Sequence, residues 1–193
     1  MSSELIPFHA LPIYKQSTDF VLTDDEKSVI VDGEFRKALS KQGNAISKSA
    51  EILDGDEYEG RTKIGRRIRR WKHPNKNIEN TIYKASHINH PSAVWARTSV
   101  ANYIWLYKLF EKLCDEYTFR YGKIHSTDAL LRGLLMTPPT KIKEGGLTTM
   151  TQAMPDHCKK PDSVDAYRTY YIQEKKRFAK WTKRDVPEWF EAA

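Results

Sequence analysis

Residues 102–121, Asn-Tyr-Ile-Trp-Leu-Tyr-Lys-Leu-Phe-Glu-Lys-Leu-Cys-Asp-Glu-Tyr-Thr-Phe-Arg-Tyr, concentrate the bulky apolar mass of this chain and are followed at once by Gly122. Tyr103, Leu106, Phe110, Leu113, Tyr117 and Tyr121 recur at steps of three and four, which places them on one face of a helix. Trp95, Trp105 and Leu109 widen that face, so the helix has to be enclosed by others. Lys108, Glu111, Lys112 and Asp115 fall on the remaining arc and suit a solvated side with pairs at i,i+3 spacing. The fold expected is therefore mainly α: a single helical domain built on one long central helix, with an irregular N-terminal arm.

At 193 residues the chain is long enough for one domain with a real core. No apolar run approaches the roughly 20 residues that cross a bilayer, and Met1-Ser-Ser-Glu-Leu-Ile-Pro7 is unlike a secretory signal. A cytoplasmic protein with no membrane partner is expected. Two cysteines, Cys114 and Cys158, make no disulfide framework, in keeping with a reducing compartment.

The charge is unevenly spread. Residues 1–60 hold six Lys/Arg against twelve Asp/Glu; of the chain's 32 bases and 25 acids this leaves twenty-six and thirteen for residues 61–193. An acidic arm (1–60) and a basic helical domain (61–193) follow, and a body of charge +13 favours polyanions through attraction and counterion release. Charge alone separates neither DNA from RNA nor either from an acidic protein.

Within the arm, Thr23 followed by Asp24, Asp25 and Glu26 is a helix-start signal with a capping-box partner, and Gly33, Gly43 and Gly55 argue against anything long after it. Arg61-Thr-Lys-Ile-Gly-Arg-Arg-Ile-Arg-Arg-Trp-Lys72 has apolar residues at 64, 68 and 71, spacing that permits a short amphipathic helix although Gly65 weakens it by about 1 kcal/mol. The central helix is expected to begin near Asn89-His-Pro91, with Pro91 in the first turn, and to end at Gly122 in the left-handed conformation. Ser126 or Thr127 should cap a shorter helix that Pro138-Pro139 stops. Residues 137–162, rich in proline and glycine, read as a long surface loop. Asp162 or Ser163 should cap a last helix reaching about Trp181, with Val186-Pro-Glu-Trp-Phe190 docking as an aromatic tail.

That last helix presents Arg168, Lys175, Lys176, Lys180 and Lys183 along one side and Tyr167, Tyr170, Tyr171, Phe178 and Trp181 along the other. With Arg66, Arg67, Arg69, Arg70 and Lys72 it gives two basic segments with interleaved aromatics, the composition that phosphate contacts and base stacking require. The competing reading is that the aromatics are core and the cations merely solvated. His87 and His90 either fix the turn into the central helix or meet phosphate there. Together with His125, His157 and Cys158 they lack any zinc-ligand spacing, so no metal and no cofactor is expected. Glu116 and Asp156 are the acid–base candidates. Glu116 has Arg120 one turn on, which makes it a half-buried structural ion pair or a working carboxylate, and Asp156 after Pro155 is equally a turn residue.

Several residue runs carry a family likeness: Tyr83-Lys-Ala-Ser-His-Ile-Asn-His-Pro91, Trp95-Ala-Arg97, Asp115-Glu-Tyr-Thr-Phe-Arg-Tyr-Gly-Lys-Ile-His125, Gln152-Ala-Met-Pro-Asp156, Ala166-Tyr-Arg-Thr-Tyr-Tyr171 and Val186-Pro-Glu-Trp-Phe190. From about residue 81 onward the chain resembles phage and bacterial proteins labelled pyrimidine-dimer DNA glycosylases, themselves remotely similar to the phage base-excision enzyme of that name. The resemblance implies a DNA partner and a glycosylase/lyase reaction on a damaged or modified base. An N-terminal α-amine would be the nucleophile, here that of Ser2 once Met1 is removed. Glu116 would supply a carboxylate while Arg120, Tyr121 and His125 line the mouth, and residues 61–76 and 164–184 would hold the duplex. Residues 1–80 share no visible run with the enzyme's catalytic segment, which favours the alternative of a non-catalytic phage interaction protein that binds nucleic acid or a host factor.

Overall fold

In the computed structural model, residues 35–191 are described, and the fold is mainly α with one two-stranded sheet. Helix α1 runs Phe35–Asp54, followed by strands β1 (Asp56–Arg61) and β2 (Arg67–Lys72), helices α2 (Lys76–Thr81), α3 (Pro91–Ala96), α4 (Val100–Tyr121) and α5 (Ser126–Leu131). Helix α6 (Ser163–Tyr170) continues through a wide turn, Tyr171–Lys175, and a tight one, Lys176–Phe178, and α7 (Glu188–Glu191) ends the described chain. The helix signal at Thr23–Glu26 lies outside the described residues.

The apolar face read from residues 103–121 is the face the fold encloses. Tyr103, Leu106, Leu109 and Phe110 are wholly buried, and Trp105 meets Trp95 of α3 edge-on with ring centroids 5.8 Å apart. The buried arc also takes in Tyr107, whose hydroxyl donates to Arg132 O at 2.7 Å. Asp115, on the outer arc, pairs with Arg132 of the following segment at 2.8 Å and not with a neighbour on its own helix.

One expectation about the ends of this helix holds and one fails. Gly122 is left-handed at φ 63° and donates to Thr118 O, whereas Pro91, behind His90, opens the separate short helix α3. The chain does not, however, run unbroken from Pro91. Ser99 accepts from the Asn102 N–H at 3.2 Å and starts α4 afresh, so α3 and α4 are separate helices. A serine hydroxyl competing for a backbone donor is sufficient cause for such a break.

The larger correction is α1. Residues read as the end of an irregular arm form a 20-residue helix packed on α3, α4 and α5, with Leu39 and Ile46 wholly buried. Gly43 does not interrupt it. Its missing side chain is where α5 fits: a Cβ there would run into Thr127 Cγ2 and come within 3.0 Å of Leu131 Cδ1. Close approach between helices overrides the glycine's poor propensity.

The segment after α5 is held at fixed points. Asp54, ending α1, accepts from Thr140 N, Thr140 Oγ1 and Lys141 N at 2.8, 3.0 and 2.9 Å. Buried Asn102 donates to Trp95 O and Thr148 Oγ1 and accepts from Thr148 N. Helix α5 is capped by His125 and not by Ser126 or Thr127, and it ends at Leu131, well before the prolines. Asp162 caps α6 as expected, but helical backbone stops at Phe178, short of Trp181. The aromatic tail docks, with Phe190 against Trp181 at 4.9 Å and Trp189 against Tyr171 at 6.5 Å.

Gly43→Ala puts two effects in opposition. Helix propensity favours alanine by about 1 kcal/mol, while forcing a methyl against α5 costs about 1–3 kcal/mol. Urea denaturation is expected to show net destabilisation, and a stabilised variant would show that α5 can move aside.

Glu51, wholly buried near the end of α1, accepts from Ala85 N–H and lies 3.9 Å from Lys84 Nζ. Burial, first among the causes, raises its pKa above the ordinary 4.5 despite the Ala85 hydrogen bond and the Lys84 charge. A folded pKa above the unfolded one means that the native chain holds the proton more tightly. The stability this group contributes is then fully present below the unfolded value and lost as pH rises through the folded one. Glu51→Gln, which keeps the acceptor for Ala85, is expected to flatten the fall in unfolding free energy as pH rises from that window, measured by denaturation at stepped pH.

Candidate functional site

The basic run 61–72 is not a helix. Residues 56–72 fold into an antiparallel hairpin with Glu57 opposite Trp71, Glu59 opposite Arg69 and Arg61 opposite Arg67. The reversal is made by Thr62, whose carbonyl accepts from Gly65 N–H and whose N–H donates to Arg66 O, with Gly65 at φ 79°. That is a turn closed by a left-handed glycine, a common three-residue hairpin connection. Only Trp71, at the base, is buried among the strand residues, and both faces of the rest meet solvent.

The five cations expected to hold phosphate divide by position on this hairpin. Arg69 makes a two-pronged pair with Glu57, both contacts 2.8 Å, and lies 5.1 Å from the Trp71 ring. The Glu57 carboxylate raises its already high pKa. Arg67 pairs with Glu59 at 3.4 Å, and Arg70 donates to Ala85 O at 3.2 Å. Those three brace the hairpin. Lys63 and Arg66 at its tip are exposed, without a carboxylate partner among the described residues, while the charge of exposed Lys72 at its base acts on Glu79.

In the second segment Arg168 lies 5.7 Å from the Trp189 ring and Lys175 5.1 Å from the Tyr170 ring, while Lys176 and Lys180 are exposed. Tyr167, Tyr170 and Tyr171 are buried, as the core reading of the aromatics required. The segment is supported by residues 150–153, through Tyr167 Oη on Thr151 O and Ala153 N. The hairpin is supported elsewhere, by Gly55 and Ala85.

At the end of α4 the residues expected to form the site fall into two contact groups, Glu116 with Arg120 and Tyr121 with His125 about Tyr117. Tyr117 stands between Tyr121 and His125, its ring centroid 4.8 and 5.1 Å from theirs. Glu116 is 5% exposed, and both its oxygens are taken. Oε1 receives Arg120 Nε at 2.7 Å and Arg184 Nε at 2.9 Å, and Oε2 receives an Arg184 terminal nitrogen at 2.8 Å. Arg120 is itself 2% exposed. His125 uses Nδ1 to accept from Thr127 N–H, a capping role.

Arg184 was missed by sequence reading because it lies after α6 in irregular chain, where no periodicity points to a partner in α4. Arg184 and Lys183 are further fixed against Phe119, at 4.2 and 5.6 Å from its ring. His90 accepts from Ser92 N–H through Nδ1, and His87 is exposed in a left-handed conformation at φ 51°. Of the residues considered for a metal, His157 and Cys158 meet Glu174, with ligand atoms within 4.8 Å of one another. Their contacts are ordinary hydrogen bonds, His157 Nε2 to Glu174 at 2.9 Å and Cys158 Sγ to Gln173 at 3.5 Å. Asp156 is exposed and paired with Lys159 at 2.6 Å, which lowers its carboxyl pKa. Ser2 lies outside the described residues.

No protein-family model, curated protein or solved structure matches this chain. Among the described residues no helix is long and apolar enough to cross a membrane.

Removing the Glu116 charge would take from two buried or half-buried guanidinium groups the carboxylate they share. Breaking a buried pair of this kind costs about 3–5 kcal/mol, so Glu116→Gln is expected to lower the unfolding free energy by that order. A loss of well under ~1 kcal/mol, the usual worth of an exposed pair, would mean that the arginines find other partners.

Proposed function

We propose that this chain binds DNA, with the β1–β2 hairpin as the principal contact. The observation that carries this reading is the hairpin tip. Ile64 is 80% exposed, the most exposed of the large apolar side chains described, and exposed Lys63 and Arg66 share its turn on a strand pair open to solvent on both faces. An apolar side chain held out on a basic ribbon suits insertion at a base step while the cations meet the flanking phosphates. Seven bases against three acids over residues 56–72 supply the attraction. Lys176 and Lys180 offer a second group of exposed cations.

Base excision is the reading taken from the family resemblance. It calls for an amine and a free carboxylate beside an extruded base, and Glu116 does not favour it, since its oxygens already answer two arginines. Binding without chemistry is the better supported function.

Fluorescence anisotropy with a labelled duplex is expected to give a log–log salt slope near −4, corresponding to about five neutralised phosphates. Arg66→Ala should reduce that slope by about one. Ile64→Ala should weaken binding while leaving the slope unchanged, because it removes an uncharged contact. A slope near zero would take nucleic acid out of the reading, and an Ile64→Ala protein that binds as tightly as the native chain would remove the wedge.

A further inference from the structure

His157 and Cys158 face Gln173 and Glu174 across the gap between two turns of chain. Cys158 is wholly buried and donates from Sγ to Gln173 Oε1 at 3.5 Å, and exposed His157 meets Glu174 through Nε2 at 2.9 Å. A ring nitrogen of His157, Sγ of Cys158 and a carboxylate oxygen of Glu174 all lie within 4.8 Å of one another.

Both turns are held from outside this cluster. Gln152 clasps Lys160 twice, donating to its carbonyl at 2.6 Å and accepting from its N–H at 3.2 Å, and Cys158 N–H donates to Pro155 O at 3.0 Å. On the other side, helix α6 opens after Tyr170 into the wide turn Tyr171–Lys175, which carries Gln173 and Glu174. Such widened turns recur at functional sites. The charge of Lys159, next in the chain, is already answered by Asp156 at 2.6 Å.

The three donors differ in kind: a thiol sulfur, an imidazole nitrogen and a carboxylate oxygen. Magnesium and calcium select oxygen alone, whereas zinc takes all three. Tetrahedral bonds of zinc length put such ligand atoms about 3.3–3.6 Å apart. The His157–Glu174 contact then opens slightly and the contacts to sulfur close by about 1 Å, movements available to two exposed side chains beside a buried thiol. Sequence spacing gave no sign of this set because its members come from two separate turns.

We propose that His157, Cys158 and Glu174 form a zinc site whose fourth position is taken by water. Binding releases the thiol proton to solvent, so that sulfur coordinates as thiolate, His157 as neutral imidazole and Glu174 as carboxylate. The ion clamps the segment before α6 onto the wide turn that follows it. The site does not depend on the role of the hairpin.

The test uses the full chain, its thiols reduced and its metals removed by chelator and dialysis. Cobalt(II) takes the tetrahedral sites of zinc and reports its ligands by absorption. Titration is expected to give a thiolate-to-cobalt charge-transfer band that saturates at one equivalent and is abolished by added zinc. Cys158→Ser should remove the band. Because Cys158 is buried, the exposed ligands provide an independent check. His157→Ala and Glu174→Gln should each weaken cobalt binding by at least about tenfold, since even groups that only orient a ligand contribute that much. Zinc should raise the melting temperature of the native chain and of Arg66→Ala alike, but not that of His157→Ala. A cobalt spectrum without the charge-transfer band would overturn the proposal, as would a band that survives Cys158→Ser or an affinity untouched by both exposed substitutions.

Discussion

The Asn102 side chain is the contact on which the arrangement of the chain's middle depends. Both its amide hydrogens and its carbonyl are used, on Trp95 O, Thr148 Oγ1 and Thr148 N, in a position closed to water. One side chain thus joins the end of α3, the first turn of α4 and the segment returning from α5. Ser99 Oγ on Gly146 O and Val100 N on Lys143 O hold the same junction. Buried polar groups satisfied this fully fix geometry more sharply than apolar contact alone, because each alternative placement leaves a donor unpaired. An irregular segment can then pack as closely as a helix.

Charge is used in three distinct ways. At Glu116 two arginines enclose one carboxylate and the set is closed. On the hairpin, glutamates of β1 engage Arg67 and Arg69 of β2, so much of a run that looks like an interface braces the ribbon, and the unspent cations stand at its tip. Lys48 is buried and pairs with no carboxylate among the described residues. A formal charge of +7 describes none of these, since what each group can bind is set by what it already holds.

The helical seam was readable from residues 103–121 because a period near 3.6 over that length has few competitors, and Gly122 and Asp162 announce their roles by local rules. The hairpin was not readable as one. Ile64, Ile68 and Trp71 sit at helical spacing by accident, and strands solvated on both faces carry no alternation to detect. Gly43 misled for a related reason. Propensity describes an isolated helix, whereas the residue's value here lies in what packs against it. The candidate site was read in part: the Glu116–Arg120 pair follows from its i,i+4 spacing, but the sequence gives no sign of Arg184, whose contact depends on a turn of chain after α6.

The fit of Gly43 against Thr127 and Leu131 also bears on the order in which the protein takes shape during synthesis. Helix α1 emerges from the ribosome early, yet the surfaces that cover it belong to α3, α4 and α5, and the carboxylate of Asp54 waits for Thr140 and Lys141. The hairpin closes with neighbours only a few residues away. For much of translation, then, the nascent chain is a finished ribbon beside an uncovered apolar helix, a state in which α1 has to be kept from other chains until residue 131 has left the tunnel.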